Sequence, residues 1–171
     1  MKFKELMSLE YCERTGKIPI DILIANNINA PSEVLEEVYS SHGRKDDFQF
    51  QYGEIELNDI KWQRISINGL EIIKCEYFQR FGNWIESVEA RLKAWDEKSW
   101  DCIDTRKNIV LHWQNEKTWL TSPFFINSSL IQNTNNLHLV EGHTRLGILK
   151  GLITRNIIPA DSKHLIWHGD N

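Results

Sequence analysis

The sequence has few of the residues that hold small folds together through covalent or metal bonds. It contains three cysteines, Cys12, Cys75 and Cys102, and no two of them are spaced as a CxxC pair. An odd number of cysteines without paired spacing indicates neither a disulfide framework nor a zinc knuckle. We therefore expect a protein of a reducing compartment and assign it to the cytoplasm.

Long apolar runs and an excess of positive charge are missing as well. No apolar run approaches the roughly 18 residues of a membrane-spanning helix, and the start MKFKELMSLEYCERTG has acids where a secretory signal would be apolar. The 20 basic residues are outnumbered by 24 acidic ones, which gives a net charge of −4. Proteins whose main task is to grip a nucleic-acid backbone have the opposite balance. We therefore expect neither membrane insertion nor sequence-specific DNA binding.

Periodic apolar residues are present and predict three helices. At 171 residues the length suits a single domain, 1–171, that buries its own core. Residues 3–15 have roughly helical spacing. Residues 31–43 begin with a proline and end at a glycine, as helices do. Residues 78–95 repeat apolar side chains at steps of three and four, and this stripe is expected to dock on the sheet.

Strands are predicted from β-branched runs and from alternation. Residues 18–25 form such a run, although Pro19 restricts it to an edge strand or an extended segment. Residues 48–75 alternate apolar and polar side chains and contain Asn68-Gly69, the dipeptide typical of a tight hairpin, so two or three antiparallel strands are expected there. Further short strands are predicted at 108–113, 122–126, 137–140 and 164–169, with an Asn-rich hairpin turn at 133–136.

The order of these elements predicts an α+β fold with a mixed sheet and flanking helices. An N-terminal part, residues 1–107, contains the first helices and the hairpin. A C-terminal part, residues 108–171, contains the remaining strands and one more helix. In the segment LHLVEGHTRLGILKGL, residues 137–152, a strand passes directly into that helix.

The junction of this strand and helix is the candidate site. Gly142 ends the strand, and a glycine permits both a sharp turn and a close approach of a ligand to the backbone. The first N–H groups of the helix and the positive end of its dipole favour an anion in the space beyond the strand. Arg145 is misplaced for stability alone, because cations are preferred at helix C-termini. A bound phosphate would compensate its charge, and so would Glu141 or a remote carboxylate.

The residues GHTR resemble the Gly-x-x-Arg motif of the ParB/sulfiredoxin-like nucleotide-binding fold. The strands SPFFI and LHLVE precede them, and the helix LGILKGL and the strand HLIWHG follow, so the resemblance covers about residues 108–168. It implies that Gly142 is the turn glycine, that His143 and Thr144 fill the variable positions, and that Arg145 binds phosphate. The cofactor implied is ATP or another nucleotide with Mg²⁺, and the partner is a nucleotide or a phosphorylated small molecule.

The same resemblance suggests where catalysis would occur. Glu141 stands where some relatives, among them free-serine kinases of this fold, have an acid before the glycine, and it could act as a general base. His143 is the second acid–base candidate. Together they would serve Mg-dependent phosphoryl transfer or nucleotide hydrolysis. The residues themselves leave open whether the protein is an enzyme.

Two departures from the family narrow the expectation. The turn lacks the cysteine that sulfiredoxin requires, so sulfiredoxin activity is not expected. Chromosome-segregation ParB proteins have a helix-turn-helix after the nucleotide domain, whereas this chain ends at Asn171, soon after the last predicted strand. A DNA-segregation clamp is therefore not expected either.

A non-enzymatic role is the alternative hypothesis. A small, acidic, tryptophan-rich domain could serve as an immunity or antitoxin-type inhibitor that reuses the fold and leaves its pocket vestigial. The N-terminal part, residues 1–107, matches nothing in the family. It could supply the surface for a protein partner.

Several other chemically active residues are interpreted as structural. Asp101 and Asp104 could assist a metal–nucleotide complex, but a solvated loop is the simpler interpretation. His138, His164 and His168 lie on predicted strands without the spacing of a metal site, and we expect them to be half-buried. Five tryptophans in the middle of the chain could form a base-stacking or a protein-binding surface, but core residues are the commoner explanation: Trp84, Trp95, Trp100, Trp113 and Trp119.

Overall fold

The computed structural model describes all 171 residues, Met1 to Asn171, and its strands form one mixed sheet with flanking helices. The α+β class predicted from the sequence is therefore confirmed. The strands are β1 (Lys61–Asn68), β2 (Glu76–Tyr77), β3 (Phe124–Asn127), β4 (Leu137–Glu141) and β5 (Lys163–Asp170). Their order in the sheet is β1-β5-β3-β4-β2.

The α-helices are mostly short. They are α1 (Ile20–Ala25), α2 (Ser32–Val34), α3 (Asp46–Tyr52), α4 (Gly69–Ile72), α5 (Gly82–Ala90), α6 (Trp95–Lys98), α7 (Lys107–Glu116) and α8 (His143–Thr154). A π-helical turn, Leu35–Ser40, continues α2. Short 3-10 helices lie at Phe3–Ser8, Leu57–Asp59, Gln79–Phe81, Arg91–Ala94, Ser99–Cys102 and Ser128–Leu130. No helix is both long enough and apolar enough to cross a bilayer.

The chain divides into two compact units. Unit 1 consists of Met1–Gln63, Phe124–Glu141 and His168–Asn171, and unit 2 consists of Arg64–Pro123 and Gly142–Trp167. Each unit thus contains segments from both the N-terminal and the C-terminal part that the sequence suggested.

Unit 1 is organised around buried aromatic rings and the β3–β4 hairpin. Phe3 makes edge-on contacts with Tyr39 and Tyr52, with ring centroids 6.2 Å apart in both pairs. In the antiparallel hairpin, Phe125 lies opposite Leu139. The connection is longer than the turn predicted at 133–136, because a 3-10 helix precedes that turn.

Unit 2 is built on the close packing of α5 against α8. A Cβ on Gly147 would lie 2.7 Å from the Cβ of Val88, and one on Gly151 would lie 2.7 Å from Cγ of Leu92. Two glycines one turn apart thus let the backbones approach closely. The stripe of the predicted helix 78–95 was expected to dock on the sheet, and here it contacts α8.

Two of the predicted helices and three of the predicted strands are present in the structure. The helix expected over 31–43 is present as α2 with its π-helical continuation, and that expected over 78–95 is present mainly as α5. The strands expected at 122–126, 137–140 and 164–169 are β3, β4 and β5.

Four predictions are wrong. In the segment 18–25, residues Ile20–Ala25 form α1 with Pro19 at its N-cap, because a short β-branched run can also pack as a helix. Residues 108–113 belong to α7, which buries Val110 and Trp113, three positions apart. The first helix, expected over 3–15, is only the 3-10 helix Phe3–Ser8. The hairpin expected within 48–75 is the fourth.

No hairpin forms at Asn68-Gly69. The Asn68 side chain instead accepts a hydrogen bond from the Glu71 amide at 2.9 Å and caps α4. Asparagine suits an N-cap as well as a tight turn, because its carbonyl oxygen reaches backbone amides two or three residues on. The start of the same region, 48–75, belongs to the helix α3, so β1 is its only strand, and the short β2 begins directly after it.

Candidate phosphate site at the start of helix α8

Gly142 makes the turn from which α8 begins. Its backbone has φ of 115° and ψ of 23°, a left-handed conformation that residues with a Cβ rarely adopt. α8 starts at His143, and its first hydrogen bond runs from the Leu146 amide to the Gly142 carbonyl oxygen at 2.9 Å. The amides of the first turn therefore precede the hydrogen-bond ladder of the helix, and Gly142, the N-cap residue, has no side chain.

The guanidinium of Arg145 is anchored on Ser122. Its Nη1 donates to the Ser122 carbonyl oxygen at 2.9 Å, and the Arg145 side chain is partly buried. The Ser122 hydroxyl in turn accepts from Nη2 of Arg64 at 3.2 Å. Two guanidinium groups therefore meet at one buried serine of unit 2. The sequence does not identify Ser122 or Arg64 as site residues, because nothing in their spacing relates them to Arg145.

The two variable positions of the motif face aromatic rings. Nε1 of Trp84 donates to the Thr144 hydroxyl oxygen at 3.0 Å. A hydroxyl that accepts one hydrogen bond can still donate its own proton to a ligand. The ring of His143 lies 4.1 Å from that of Phe81 and is only 8% exposed. The histidine thus supports the turn from within unit 2 and does not project into solvent.

Glu141, the first catalytic candidate, is the last residue of β4. It is half-buried and pairs with Phe124 of β3, next to an irregularity in the register. It belongs to unit 1, so its relation to the other candidates rests on its position directly before Gly142 in the chain.

Metal-ligating groups are sparse. No group of three or more His, Cys, Asp or Glu side chains is placed to hold a metal ion. Magnesium usually binds through one or two carboxylates together with substrate phosphates. Glu141 is the acid of segment 137–152 that could supply such a ligand. The other two carboxylates considered, Asp101 and Asp104, are paired with Lys107 at 2.9 Å and with Arg106 at 2.8 Å.

The electrostatic effect of the Asp104 pair is visible in its acidity. Hydrogen bonds from Arg106 lower the pKa of the Asp104 carboxyl below its ordinary value, against the effect of partial burial. The carboxylate is thus stabilised in its charged form by a neighbour within the same loop. The interpretation of these acids as parts of a solvated loop is only partly correct. Asp101 is exposed but lies in the 3-10 helix Ser99–Cys102, and the Asp104 side chain is only 5% exposed.

The burial predicted for the tryptophans and histidines is only partly correct. Trp113 and Trp119 are core residues as expected, but Trp84 is 52% exposed at the start of α8. His168 is half-buried as expected, whereas His138 and His164 are fully buried. Burial of these two histidines is stabilised by hydrogen bonds, because Tyr52 contacts His138 at 3.1 Å and two hydroxyls flank His164.

Comparison with known proteins adds no family. No protein-family model, curated protein or solved structure matches the chain. The ParB/sulfiredoxin-like resemblance therefore stays a prediction from residues 108–168.

Proposed function

We propose that the start of α8 binds the phosphate of a nucleotide or of another phosphorylated small molecule. The observation that carries the proposal is the turn at a left-handed glycine from which a 12-residue helix begins. Backbone amides at such a terminus point at an incoming anion, and the helix dipole favours negative charge there. Gly142 presents no Cβ to a ligand that approaches this turn.

Arg145 supports the proposal through its position. The hydrogen bond to the Ser122 carbonyl oxygen holds the guanidinium in one orientation. The Ser122 bond uses Nη1 and keeps the side chain in the first turn of α8. A phosphate oxygen bound there would receive charge-assisted hydrogen bonds, which are stronger than neutral ones.

Trp84 favours a nucleotide over a simple phosphate ester. Its indole is half exposed and is fixed by the hydrogen bond to Thr144, beside the proposed phosphate position. Stacking of a base on an aromatic ring contributes about 1–3 kcal/mol and tolerates every base. We therefore expect binding of several nucleotides with little base preference.

Catalysis is the second step of the proposal. Glu141 would act as the general base, or its carboxylate would bind the Mg²⁺ ion of a metal–nucleotide complex. It is the candidate because it directly precedes Gly142 and is the acid of segment 137–152. We assign the buried His143 to support of the turn in place of the acid–base role that sequence suggested. The reaction would be phosphoryl transfer or nucleotide hydrolysis.

The binding step is tested with ATP, ADP, CTP and GTP, each with and without Mg²⁺, by thermal shift and titration calorimetry. At a hundredfold excess over Kd, a ligand raises the free energy of unfolding by about 2.7 kcal/mol. Arg145→Ala should abolish this gain. Arg14→Ala, which removes an exposed arginine of unit 1, should retain it. Absence of binding by the unmodified chain, or equal binding by Arg145→Ala, would contradict the proposal.

Two further variants separate binding from chemistry. Trp84→Ala should weaken the binding of nucleotides but leave the binding of inorganic phosphate unchanged. Glu141→Gln should retain nucleotide binding and lose phosphate release. If the unmodified chain binds nucleotide without releasing phosphate, the catalytic step is wrong and the binding step stands.

A further inference from the structure

Unit 2 contains a surface cavity of about 400 Å³ near the Ser122 hydroxyl. We call it the Arg64 pocket and define it by six of its lining residues, Arg64, Glu116, Trp119, Leu120, Lys163 and Leu165. Small-molecule sites usually have volumes of about 300–1,000 Å³. The pocket is therefore large enough for an organic ligand and too large to be filled by an inorganic ion.

The charges of the pocket favour an anion. Arg64 and Lys163 form no salt bridge, and the nearest polar partner of Arg64 is the neutral Ser122 hydroxyl at 3.2 Å. Glu116 contributes one negative charge, so these three side chains leave an excess of one positive charge. His112 also lines the cavity and adds a donor or an acceptor. This excess stands out in a chain whose net charge is −4.

The rest of the pocket is apolar and firmly held. Leu120 and Leu165 are 47% and 48% exposed, whereas Trp119 is buried beside them. Nε1 of Trp119 donates to the Leu165 carbonyl oxygen at 2.7 Å, which ties the wall to β5. An apolar ligand surface that covers the two leucines would remove them from water.

The buried His164 holds Trp119 and its neighbours in the wall of the pocket. Its two ring nitrogens contact the hydroxyls of Thr118 and Ser162, at 2.9 Å each, and its ring packs on Trp119 with centroids 5.0 Å apart. A wall held in this way loses little conformational entropy when a ligand binds.

We propose that the Arg64 pocket binds a small organic anion whose phosphate or carboxylate contacts Arg64 and Lys163 and whose apolar body covers Leu120 and Leu165. The inference does not depend on the phosphate site at α8, because it rests on other charged groups and on a separate cavity. The shared chemistry is an anionic head on an apolar body. Phosphate and carboxylate heads are distinguished by the test.

The probes are phenyl phosphate, phenylacetate and the neutral benzyl alcohol, each titrated into the full chain. Binding is followed by ¹H–¹⁵N spectra, in which the Trp119 indole and the amides of residues 163–165 report on the pocket. The Trp84 indole reports on the start of α8 instead. We expect saturable shifts of the Trp119 group with one or both anions, and at least tenfold weaker shifts with the alcohol.

Three variants test the charges. Arg64→Ala should lower the affinity for the anion about tenfold or more, since a hydrogen bond to a charged group contributes about that factor. Glu116→Gln should strengthen binding, because it removes the like charge. Lys74→Ala, which removes an exposed lysine of unit 2, should leave the Trp119 shifts unchanged.

Several results would overturn the proposal. They are absence of saturable shifts at Trp119, equal binding of the alcohol, and unchanged affinity in Arg64→Ala when its spectrum shows a native fold. Weaker binding in Glu116→Gln would also contradict it. Shifts confined to Trp84 would place the anion at α8 and would leave the Arg64 pocket without a ligand of this class.

Discussion

The guanidinium of Arg145 donates to the backbone carbonyl oxygen of Ser122 at 2.9 Å, 23 residues away in the chain. The hydroxyl oxygen of the same serine accepts a hydrogen bond from the guanidinium of Arg64. One residue therefore positions the arginine of the proposed phosphate site through its main chain and the arginine of the Arg64 pocket through its side chain. The two arrangements can be separated by mutation.

Ser122→Ala should affect Arg64 and spare Arg145. The substitution removes the hydroxyl but keeps the carbonyl oxygen, so nucleotide binding at α8 should stay unchanged while phenyl phosphate in the Arg64 pocket binds a few-fold more weakly. We expect a cost of about 1 kcal/mol in the free energy of unfolding, typical for one hydrogen bond. Calorimetry with both ligands measures the contrast. Loss of nucleotide binding in this variant would show that the side chain, and not the carbonyl, supports Arg145.

Gly142→Ala should destabilise the protein. A left-handed conformation costs a residue with a Cβ about 1–2 kcal/mol, and Gly142 has φ of 115°. We expect a lower midpoint in urea unfolding and weaker nucleotide binding, because the first turn of α8 would shift. Gly82→Ala is the matched control, since its Cβ would meet Tyr77 at an ordinary 3.7 Å. Equal stability of the two variants would mean that the turn relaxes without strain.

Gly147→Ala tests the packing of α5 on α8. Alanine is the better helix former, yet the new Cβ would lie 2.7 Å from the Cβ of Val88 and 2.8 Å from the carbonyl oxygen of Ile85. Overpacking of this kind typically costs about 1–3 kcal/mol. We expect a loss of that size in denaturant unfolding. A gain in stability would indicate that the two helices can move apart.

His164 should make stability depend on pH. Burial lowers the pKa of its imidazole from 6.5 to about 4. Between these values the unfolded chain binds a proton that the folded chain does not, so the free energy of unfolding falls as pH drops from 6.5 to 4. Burial also lowers the pKa of His168, which adds a slope of the same sign.

The free energy of unfolding, measured in urea at several pH values, should therefore depend less on pH in His164→Asn than in the unmodified chain. Asparagine offers a donor and an acceptor to Thr118 and Ser162, so the fold should persist in the variant. A slope that is the same in both proteins would show that His164 does not titrate in this range.

The success of sequence-based prediction depended on the length of each pattern. α5 and α8 have several turns, so apolar spacing identified them, and β3, β4 and β5 were recognised from compact apolar runs. Shorter segments were ambiguous: the residues NIVLHW have β-branched character but bury Val110 and Trp113 on one helical face of α7. Asn68 was recognised as a residue of a tight turn, and only its surroundings determined that it caps α4.

By itself the sequence determined the junction at Gly142, because a glycine between a strand pattern and a helix pattern is a local signal read from adjacent residues. It also determined that Arg145 lies in the first turn of α8. Tertiary structure alone decided that Arg145 meets Ser122 and that Arg64, 58 positions before this serine, meets it as well. Contacts over such separations arise from the packing of whole elements, and residue spacing does not encode them.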